Sequence, residues 1–540
     1  MGRFEIHTAI DLHDVQGNII KGYGRYGFPF ARYVLYRVNA ERAGRDFVGR
    51  LIPLITTSAP WTRYGDVKGG TKKPRVTTNI AFTYDGLKQL AVPARSLSSF
   101  PHEFSMGMRA RTALLGDDGP SAPEHWDPIW SSVDAAQVAH VLITINGLTK
   151  AEVEERYNRI TEALLAATAD DADGVVQLIG HRNTDGAAGA YQDAAALPDE
   201  MGQPTPKEHF GFTDGISDPY FKESGSFPTY VAGGGKRLRK KPASSVKGWA
   251  PLATGEFLLG HVDEADEYPA APIPTALATN GTFLVYRKLH QNVASFDRYV
   301  SEQGAALGDD PELLAAKLVG RWKNGAPLTT FPTKAAADAF VAEMEQANQA
   351  RGSTDRATAK AATERYYALK QQLMAFDYSA DLPGGRCPLG AHIRRANPRG
   401  ALEFGVADAF DTPGALSNRR RIARRGLPYG SVFDRSRDDG DHGIIFMAIG
   451  ASISRQYEFV QQQWMNYSND FKLANDRDPI IGNQPPEGGR MVLPADPRGT
   501  EPPRFCTAIP RFVETRGGDY FFVPSLTALS NIAAGTIDPT

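Results

Sequence analysis

The sequence is poor in cysteine and has neither a long hydrophobic run nor an excess of one charge. Only two of the 540 residues are cysteines, Cys387 and Cys506, which excludes a disulfide framework and favours reduced thiols in a cytoplasmic protein. The most apolar run, residues 444–451, is too short to cross a bilayer. Since the net charge is only −2, no strong field favours nucleic acid or an anionic membrane.

Two further absences narrow the function. The N-terminus carries Glu5, Asp11 and Asp14 where a secretory signal would have an apolar segment, so we expect no signal peptide and a cytoplasmic location. The eleven histidines include no pair with the H-E-x-x-H spacing, so the sequence does not support a zinc hydrolase.

The order of predicted elements indicates an α+β fold. A chain of 540 residues exceeds a single core, and two domains are expected. In the first half Thr149 and Glu152 form a capping box that opens a helix with apolar residues on one face. A strand–helix–strand–strand–helix order is typical of helices packed on one face of an antiparallel sheet. The predicted strands here are 32–38, 77–83 and 138–145, and the other helices are 46–55 and 85–90.

The second half repeats this pattern. We expect a boundary within the Ala-, Asp- and Gly-rich stretch 166–202, and hence an N-terminal domain over 1–205 and a C-terminal domain over 206–540. Residues 311–377 are predicted to be a helical insertion in the second domain, with a solvated surface rather than a binding site. The predicted strands are 256–260, 282–289, 443–449 and 520–523, with helices beginning near 293 and 453.

The stretch 208–220, Glu-His-Phe-Gly-Phe-Thr-Asp-Gly-Ile-Ser-Asp-Pro-Tyr, has a composition suited to a functional loop. Asp214 lies between Gly211 and Gly215, which allow tight backbone geometry, and follows Phe210 and Phe212. Such a segment predicts a carboxylate on a rigid loop beside apolar rings, a setting suited to proton transfer. An Asx-turn between two elements is the alternative.

His392 differs from the other histidines in its surroundings. Gly390 and Ala391 leave space beside its ring, and Arg394, Arg395 and Arg399 follow it. Guanidinium groups pair with carboxylates, so this segment suits a dianionic cofactor, and haem, with two propionates and an iron that takes an axial imidazole, fits it. A histidine satisfied within the core or on the surface is the alternative.

A second basic cluster spans 419–425, Arg-Arg-Arg-Ile-Ala-Arg-Arg, and ends in the turn Gly-Leu-Pro-Tyr-Gly. A charge run of this kind is often a solvated face or a nucleic-acid patch. Here apolar residues alternate with the arginines, which favours one or two arginines pointing inward.

Together these segments resemble the dye-decolorizing haem peroxidase family, specifically its longer-chain subgroup. The G-x-x-D-G of 211–215, the segment 390–399 around His392 and the segment 422–430 are similar to the family's distal-aspartate, proximal-histidine and distal-arginine motifs. The resemblance covers nearly the whole chain, with further similar segments at 15–20, 79–87, 317–322, 478–482 and 517–524.

The resemblance implies two ferredoxin-like domains with antiparallel sheets, and haem b (iron protoporphyrin IX) in the C-terminal one. His392 is then the axial iron ligand and Asp478 the carboxylate on its other ring nitrogen. Asp214 and Arg424 face the open iron position, with Arg424 preferred over Arg425. Arg399 is expected near a propionate and Phe446 on the distal side. Gly426 stands where shorter members have a polar asparagine.

The implied activity is oxidation of dyes, phenolics and similar aromatic donors by hydrogen peroxide, in one-electron steps through an oxoferryl intermediate. Asp214 would move a proton between the peroxide oxygens and Arg424 would stabilise the developing negative charge. The expected partners are hydrogen peroxide and aromatic donors, with no nucleic acid and no membrane, and homo-oligomer formation stays open.

Two alternatives stay open at the level of sequence. A haem-binding or haem-transfer protein would need neither Asp214 nor Arg424. A nucleic-acid binder built on residues 419–425 would be expected to carry a recognisable motif and a basic total charge.

Overall fold

The computed structural model describes residues 10–62, 71–182, 188–224, 231–238, 248–402, 414–432, 434–496 and 500–538. Residues 1–9, which include Glu5 of the expected signal-free N-terminus, lie outside this set. Among the described residues, no helix combines the length and the apolar character needed to cross a membrane.

The strands confirm an α+β fold. Their bounds are β1 Phe30–Val38, β2 Trp61–Thr62, β3 Thr71–Lys72, β4 Val76–Phe82, β5 Val141–Gly147, β6 Val175–Gln177, β7 His181–Arg182, β8 Ala188–Gly189, β9 Gln192–Ala195, β10 Lys236–Arg237, β11 Trp249–Ala250, β12 Thr282–Gln291, β13 Ala423–Arg424, β14 Leu427–Tyr429, β15 Gly443–Gly450, β16 Gly489–Leu493, β17 Arg504–Ile509 and β18 Val513–Val523.

The helices lie between these strands. They are α1 Gly17–Ile20, α2 Glu41–Leu51, α3 Tyr84–Gln89, α4 Ala94–Leu97, α5 His102–Met106, α6 Thr112–Leu115, α7 Pro128–Ser131, α8 Lys150–Ala167, α9 Val231–Gly234, α10 Thr275–Ala278, α11 Val293–Leu307, α12 Pro311–Val319, α13 Lys334–Ala350, α14 Arg356–Gln372, α15 His392–Ala396, α16 Ala415–Asn418 and α17 Leu526–Ala534. The predicted capping box is confirmed at α8, where the Thr149 side chain accepts a hydrogen bond from the Glu152 N–H.

Ten strands form one antiparallel sheet in the order β13-β15-β12-β18-β4-β5-β1-β6, with β14 beside β15 and β9 beside β1. The two halves meet where β18 pairs with β4, at Phe522 and Phe82. Alternate residues of β1 enter different cores: Val34 and Tyr36 pack beneath α2 and α8, whereas Tyr33 and Leu35 pack against strands of the second half. Both faces of the sheet are therefore buried, in keeping with the apolar composition of its strands.

Two predicted elements differ from the structure. Residues 254–256 form a 3₁₀ turn, and the apolar run after it is buried without becoming a strand, so the strand predicted over 256–260 is wrong. Short apolar runs do not distinguish a strand from another buried segment. The helix predicted from residue 453 is present, but in two π-helical segments, Ile453–Glu458 and Val460–Met465.

The helical block is more than a solvated surface. α13 and α14 pack as a pair and expose their outer faces, as expected. Val319, Arg321 and Phe376, however, line the large cavity described below. The expectation that residues 311–377 form no binding site is therefore wrong at the ends of the block.

Candidate active site

The loop that carries Asp214 turns on two glycines in the left-handed region. Gly211 has φ +93° and Gly215 has φ +75°, which L side chains rarely adopt, so glycine is required at these turns. Phe210 and Phe212 are buried beside the loop, as the apolar pattern predicts. The Asp214 side chain is 45% exposed, so its carboxylate faces open space rather than a closed core.

Arg424 meets Asp214 across the same space. It belongs to β13, and its backbone N–H donates to Asp218 Oδ1 at 3.1 Å. Its Nη1 donates to Asp214 Oδ1 at 2.5 Å, a charge-assisted pair. The negative charge of Asp214 raises the pKa of Arg424 above its ordinary value despite burial. The structure thus brings together the two residues predicted for the distal side.

Arg425 points elsewhere. Its guanidinium donates to the carbonyl oxygens of Asn18 and Ile19 in α1 and pairs with Asp218 Oδ2 at 2.7 Å. Consecutive residues of an extended chain point to opposite sides, and Arg425 directly follows Arg424. Of the two arginines, Arg424 lines the cavity and Arg425 is structural.

His392 is the first residue of α15 and is held by a buried carboxylate. Its Nδ1 lies 3.0 Å from Oδ2 and 3.1 Å from Oδ1 of Asp478, which is fully buried. Asp478 Oδ1 also accepts the backbone N–H groups of Ile480 and Ile481 at 2.9 and 2.8 Å. Burial opposes ionisation of Asp478, but its contacts with His392, Arg395 and the Ile481 N–H together lower the pKa of the carboxyl. Since Asp478 holds Nδ1, Nε2 is the nitrogen left to ligate a metal.

These residues line one cavity of about 310 Å³. Five of the six predicted site residues line it, and Asp478 lies behind His392: the five are Asp214, His392, Arg399, Arg424 and Phe446. Most of the remaining wall is apolar, contributed by residues such as Phe212, Phe376, Ile393, Ile422, Val460 and Ile480. An enclosed apolar space with a few convergent polar groups is the usual form of a cofactor site.

The arginines after His392 do not all face this cavity. The Arg394 guanidinium donates to Cys387 O at 2.7 Å and lies near Asp381, whereas Arg395 donates to the carbonyl oxygen of Trp464 at 2.6 Å. Both are fully buried away from the cavity lining. The expectation that they face a dianionic cofactor is wrong, because both are used to satisfy carbonyl oxygens.

Sequence reasoning missed two arginines that do line the cavity, Arg321 and Arg421. Both are buried, and neither they nor Arg399 form an ion pair with a carboxylate among the described residues. Burial, together with the charge of Arg399, lowers the pKa of Arg321 and of Arg421 to about 9. Arg321 could have been predicted as a site residue, because its segment 317–322 resembles the family. Charge patterns, however, do not show where a side chain points.

The positions of Arg321, Arg399 and Arg421 bear on whether haem fits the cavity. Burial lowers the pKa of Arg399 to about 10, and its Nη1 donates to the carbonyl oxygens of Met374 and Phe376 at 2.7 and 2.8 Å. Because arginine stays protonated in proteins, these three guanidinium groups place positive charge beside a largely apolar cavity, and none of them forms an ion pair with a carboxylate within the described part of the chain. An apolar group with two carboxylates and a metal that takes an imidazole matches this set of residues.

Gly426 is required by close packing. A Cβ built at Gly426 would lie 1.5 Å from the carbonyl oxygen of Ile445 in the paired strand β15. The position therefore cannot hold the asparagine expected in shorter members, and it supplies no hydrogen-bonding side chain.

Comparison with known proteins shows which family this chain resembles. Residues 14–180 match the family model described as the DyP dimeric alpha+beta barrel domain. The dye-decolorizing peroxidase msp1 of Mycetinis scorodonius is 30% identical, over 97% of this chain and 88% of its own length. The multifunctional dye peroxidase DyP2 of an Amycolatopsis species is 28% identical, over 97% of this chain and 96% of its own length.

The fold agrees as well. The solved structure of an ancestral D-type dye decolorizing peroxidase superposes with a TM-score of 0.68 at 26% identity, covering 97% of this chain and 99% of that one. Sequence and fold both match over almost the full length, and the chain therefore belongs to the dye-decolorizing peroxidase family.

Proposed function

We propose that this chain is a haem peroxidase that uses hydrogen peroxide to oxidise dyes, phenolics and similar aromatic donors. The observation that carries the proposal is that His392, held by Asp478, lines the same cavity as the ion-paired Asp214 and Arg424. A protein that only stores or transfers haem would need neither of the last two residues.

We propose that haem b occupies the cavity, with His392 Nε2 on its iron. Arg399, and with it Arg321 and Arg421, would pair with the propionates through charge-assisted hydrogen bonds. Phe446 would cover the distal side. When bound, haem supplies a Lewis-acidic iron and the capacity to hold two oxidising equivalents drawn from peroxide.

The side chains supply proton transfer and electrostatics. Asp214, ionised beside Arg424, takes a proton from one oxygen of hydrogen peroxide and delivers it to the other, which leaves as water. The Arg424 guanidinium stabilises the negative charge that develops as the oxygen–oxygen bond breaks. Asp478 fixes the tautomer of His392 and increases the basicity of Nε2.

We also propose the division into domains over 1–205 and 206–540. All six site residues lie in the second range, whereas the family-model match of 14–180 lies in the first.

The test is the reaction of haem-loaded protein with hydrogen peroxide, followed by stopped-flow absorption across pH. An aspartate base has a reference pKa of about 3.9 against about 6.5 for histidine, so we expect the reaction to persist under acidic conditions and dye turnover to be best there. Asp214→Asn keeps the shape and should slow the reaction by about 10²-fold or more, the usual contribution of a general base.

A donor assay completes the test. 2,6-Dimethoxyphenol, present in a solved dye-decolorizing peroxidase complex of the same fold, should be oxidised by wild type and scarcely by the variant. Haem binding without any peroxide reaction would support the haem-transfer alternative. An unchanged rate and pH profile in Asp214→Asn would show that Asp214 is not the proton shuttle.

A further inference from the structure

Glu208 is a buried carboxylate of the cavity wall to which the proposed mechanism gives no role. It is 8% exposed and precedes Asp214 by six residues on the same loop. Burial raises the pKa of Glu208, and nearby Asp214 contributes in the same direction. Burial of this carboxyl group therefore costs free energy, which its hydrogen bonds must offset.

Those contacts are all with donors. Oε1 accepts the backbone N–H of Phe212 at 2.7 Å, and Oε2 accepts the backbone N–H of Phe210 at 2.9 Å. Oε2 also accepts the side-chain Nε2 of Gln291 at 2.5 Å. A carboxylate with two acceptor oxygens can satisfy this set, whereas a neutral amide cannot.

The backbone of Glu208 closes the same loop. Its N–H donates to Phe212 O at 3.0 Å, and its carbonyl oxygen accepts the Gly211 N–H at 2.8 Å. Two further bonds fix the next residues: the Thr213 N–H donates to Lys323 O at 3.2 Å, and the Asp214 N–H donates to Pro206 O at 2.7 Å. Hydrogen bonds thus hold nearly every residue of the loop from Glu208 to Asp214.

Gln291 joins this loop to the sheet. It is the last residue of β12, which lies between β15 and β18 in the sheet. β15 in turn pairs with β13, which carries Arg424. Glu208 therefore links the loop that bears Asp214 to the sheet that bears its cationic partner.

We propose that Glu208 is a positioning residue that holds Asp214 at the distance and angle from Arg424 that proton transfer requires. This inference rests on the proposed function, since it assigns Glu208 a role only through Asp214. Glu208 itself donates no proton to the reaction and contacts no reacting atom.

The first measurement is hydrogen exchange of the full chain in wild type, Glu208→Gln and Glu208→Ala. Glutamine retains one acceptor oxygen where glutamate has two, so at least one of the Phe210 and Phe212 N–H groups loses its partner. Loss of a hydrogen bond to a charged group predicts exchange at these amides about 10-fold faster or more in Glu208→Gln, and faster again in Glu208→Ala.

Glu256→Gln is the matched control. Glu256 is also a buried carboxylate, and it contacts Arg455 at 2.9 Å and the Glu264 N–H at 3.1 Å, not the Asp214 loop. Its variant should lose stability without faster exchange in residues 208–216.

A double-mutant cycle with Asp214→Asn separates positioning from folding. If Glu208 acts only through Asp214, Glu208→Gln slows the peroxide reaction of haem-loaded wild type about 10-fold or more but adds no further loss in Asp214→Asn. Wild-type exchange in Glu208→Ala would overturn the inference, and so would additive effects of the two substitutions. A full-rate Asp214→Asn would instead contradict the proposed function, and the exchange data would still show whether Glu208 orders the loop.

Discussion

At the scale of single residues, Arg424 and Arg425 are adjacent in sequence and differ in role. Arg424 pairs with Asp214 at the cavity, while Arg425 binds Asp218 and two carbonyl oxygens of α1. In the proposed function Arg424 supplies positive charge to the cavity, whereas Arg425 joins α1 to the loop that carries Asp218.

Arg424→Leu should therefore slow the reaction of haem-loaded protein with peroxide by about 10²–10³-fold with little change in haem content. Arg425→Leu should lower the thermal unfolding midpoint and leave the peroxide rate closer to wild type, since its loss leaves buried acceptors unpaired. Stopped-flow absorption and thermal unfolding of both variants decide this. A larger rate defect in Arg425→Leu would reverse the assignment.

Some residues of the candidate site could be predicted from the sequence and others could not, for a physical reason. Asp214 stands out because Gly211 and Gly215, both at positive φ, lie on either side of it, and His392 stands out because Gly390 and Ala391 leave space beside its ring. The direction of a side chain in a basic run is not visible: Arg394 and Arg395 turn toward carbonyl oxygens, while Arg321 and Arg421 line the cavity. That choice depends on long-range packing.

At the scale of elements, the strand that presents Arg424 depends on the close approach of Gly426 to β15. An added Cβ would lie 1.5 Å from Ile445 O, and backbone cannot move as a side chain can. Overpacking of this kind typically costs about 1–3 kcal/mol and sometimes more.

Gly426→Ala should accordingly lower the free energy of unfolding by about 2 kcal/mol or more and displace Arg424, as measured by thermal unfolding and the peroxide rate. Gly49→Ala, in α2, is the matched control. Among the described residues, the added Cβ would meet only the Cβ of Ala533 in α17, at the ordinary contact distance of 3.8 Å. Alanine in a helix interior should stabilise by up to about 1 kcal/mol. Equal midpoints for the two variants would contradict this account of the strand.

Strand β18 carries a titrating group. Burial raises the pKa of Asp519 to about 6, and Oδ1 accepts the N–H groups of Met108 and Tyr520 at 2.9 and 2.8 Å. The unfolded carboxyl has a pKa of about 3.9, so between pH 4 and 6 the folded state binds more protons. This group therefore reduces stability as pH rises through that window, by at most about 3 kcal/mol.

Asp519→Asn should remove that pH dependence and stabilise the protein at pH 7, because an amide oxygen can accept both N–H groups. Unfolding midpoints of wild type and variant at pH 4.5 and 7 test this, with a difference that grows with pH. An identical slope in both proteins would show that Asp519 does not titrate in this window.

At the scale of the whole molecule, most of the α+β pattern could be predicted from hydrophobic periodicity. The pairing of the halves could not, since β18 and β4 join ten strands into one sheet through one ladder pair, Phe522 with Phe82, which no sequence pattern marks. Nor could the role of the helical block, whose ends contribute Arg321 and Phe376 to the cavity although both lie more than a hundred residues from Asp214 in the sequence.

The central claim is that the cavity binds haem through His392. The most direct measurement is the absorption spectrum of wild type and His392→Ala after titration with haem, with and without added imidazole. We expect wild type to bind haem with a histidine-ligated ferric spectrum, and His392→Ala to lose most haem or change its spectrum, with imidazole restoring the wild-type bands. Full haem occupancy and an unchanged ferric spectrum in His392→Ala would contradict the account and point to another of the eleven histidines.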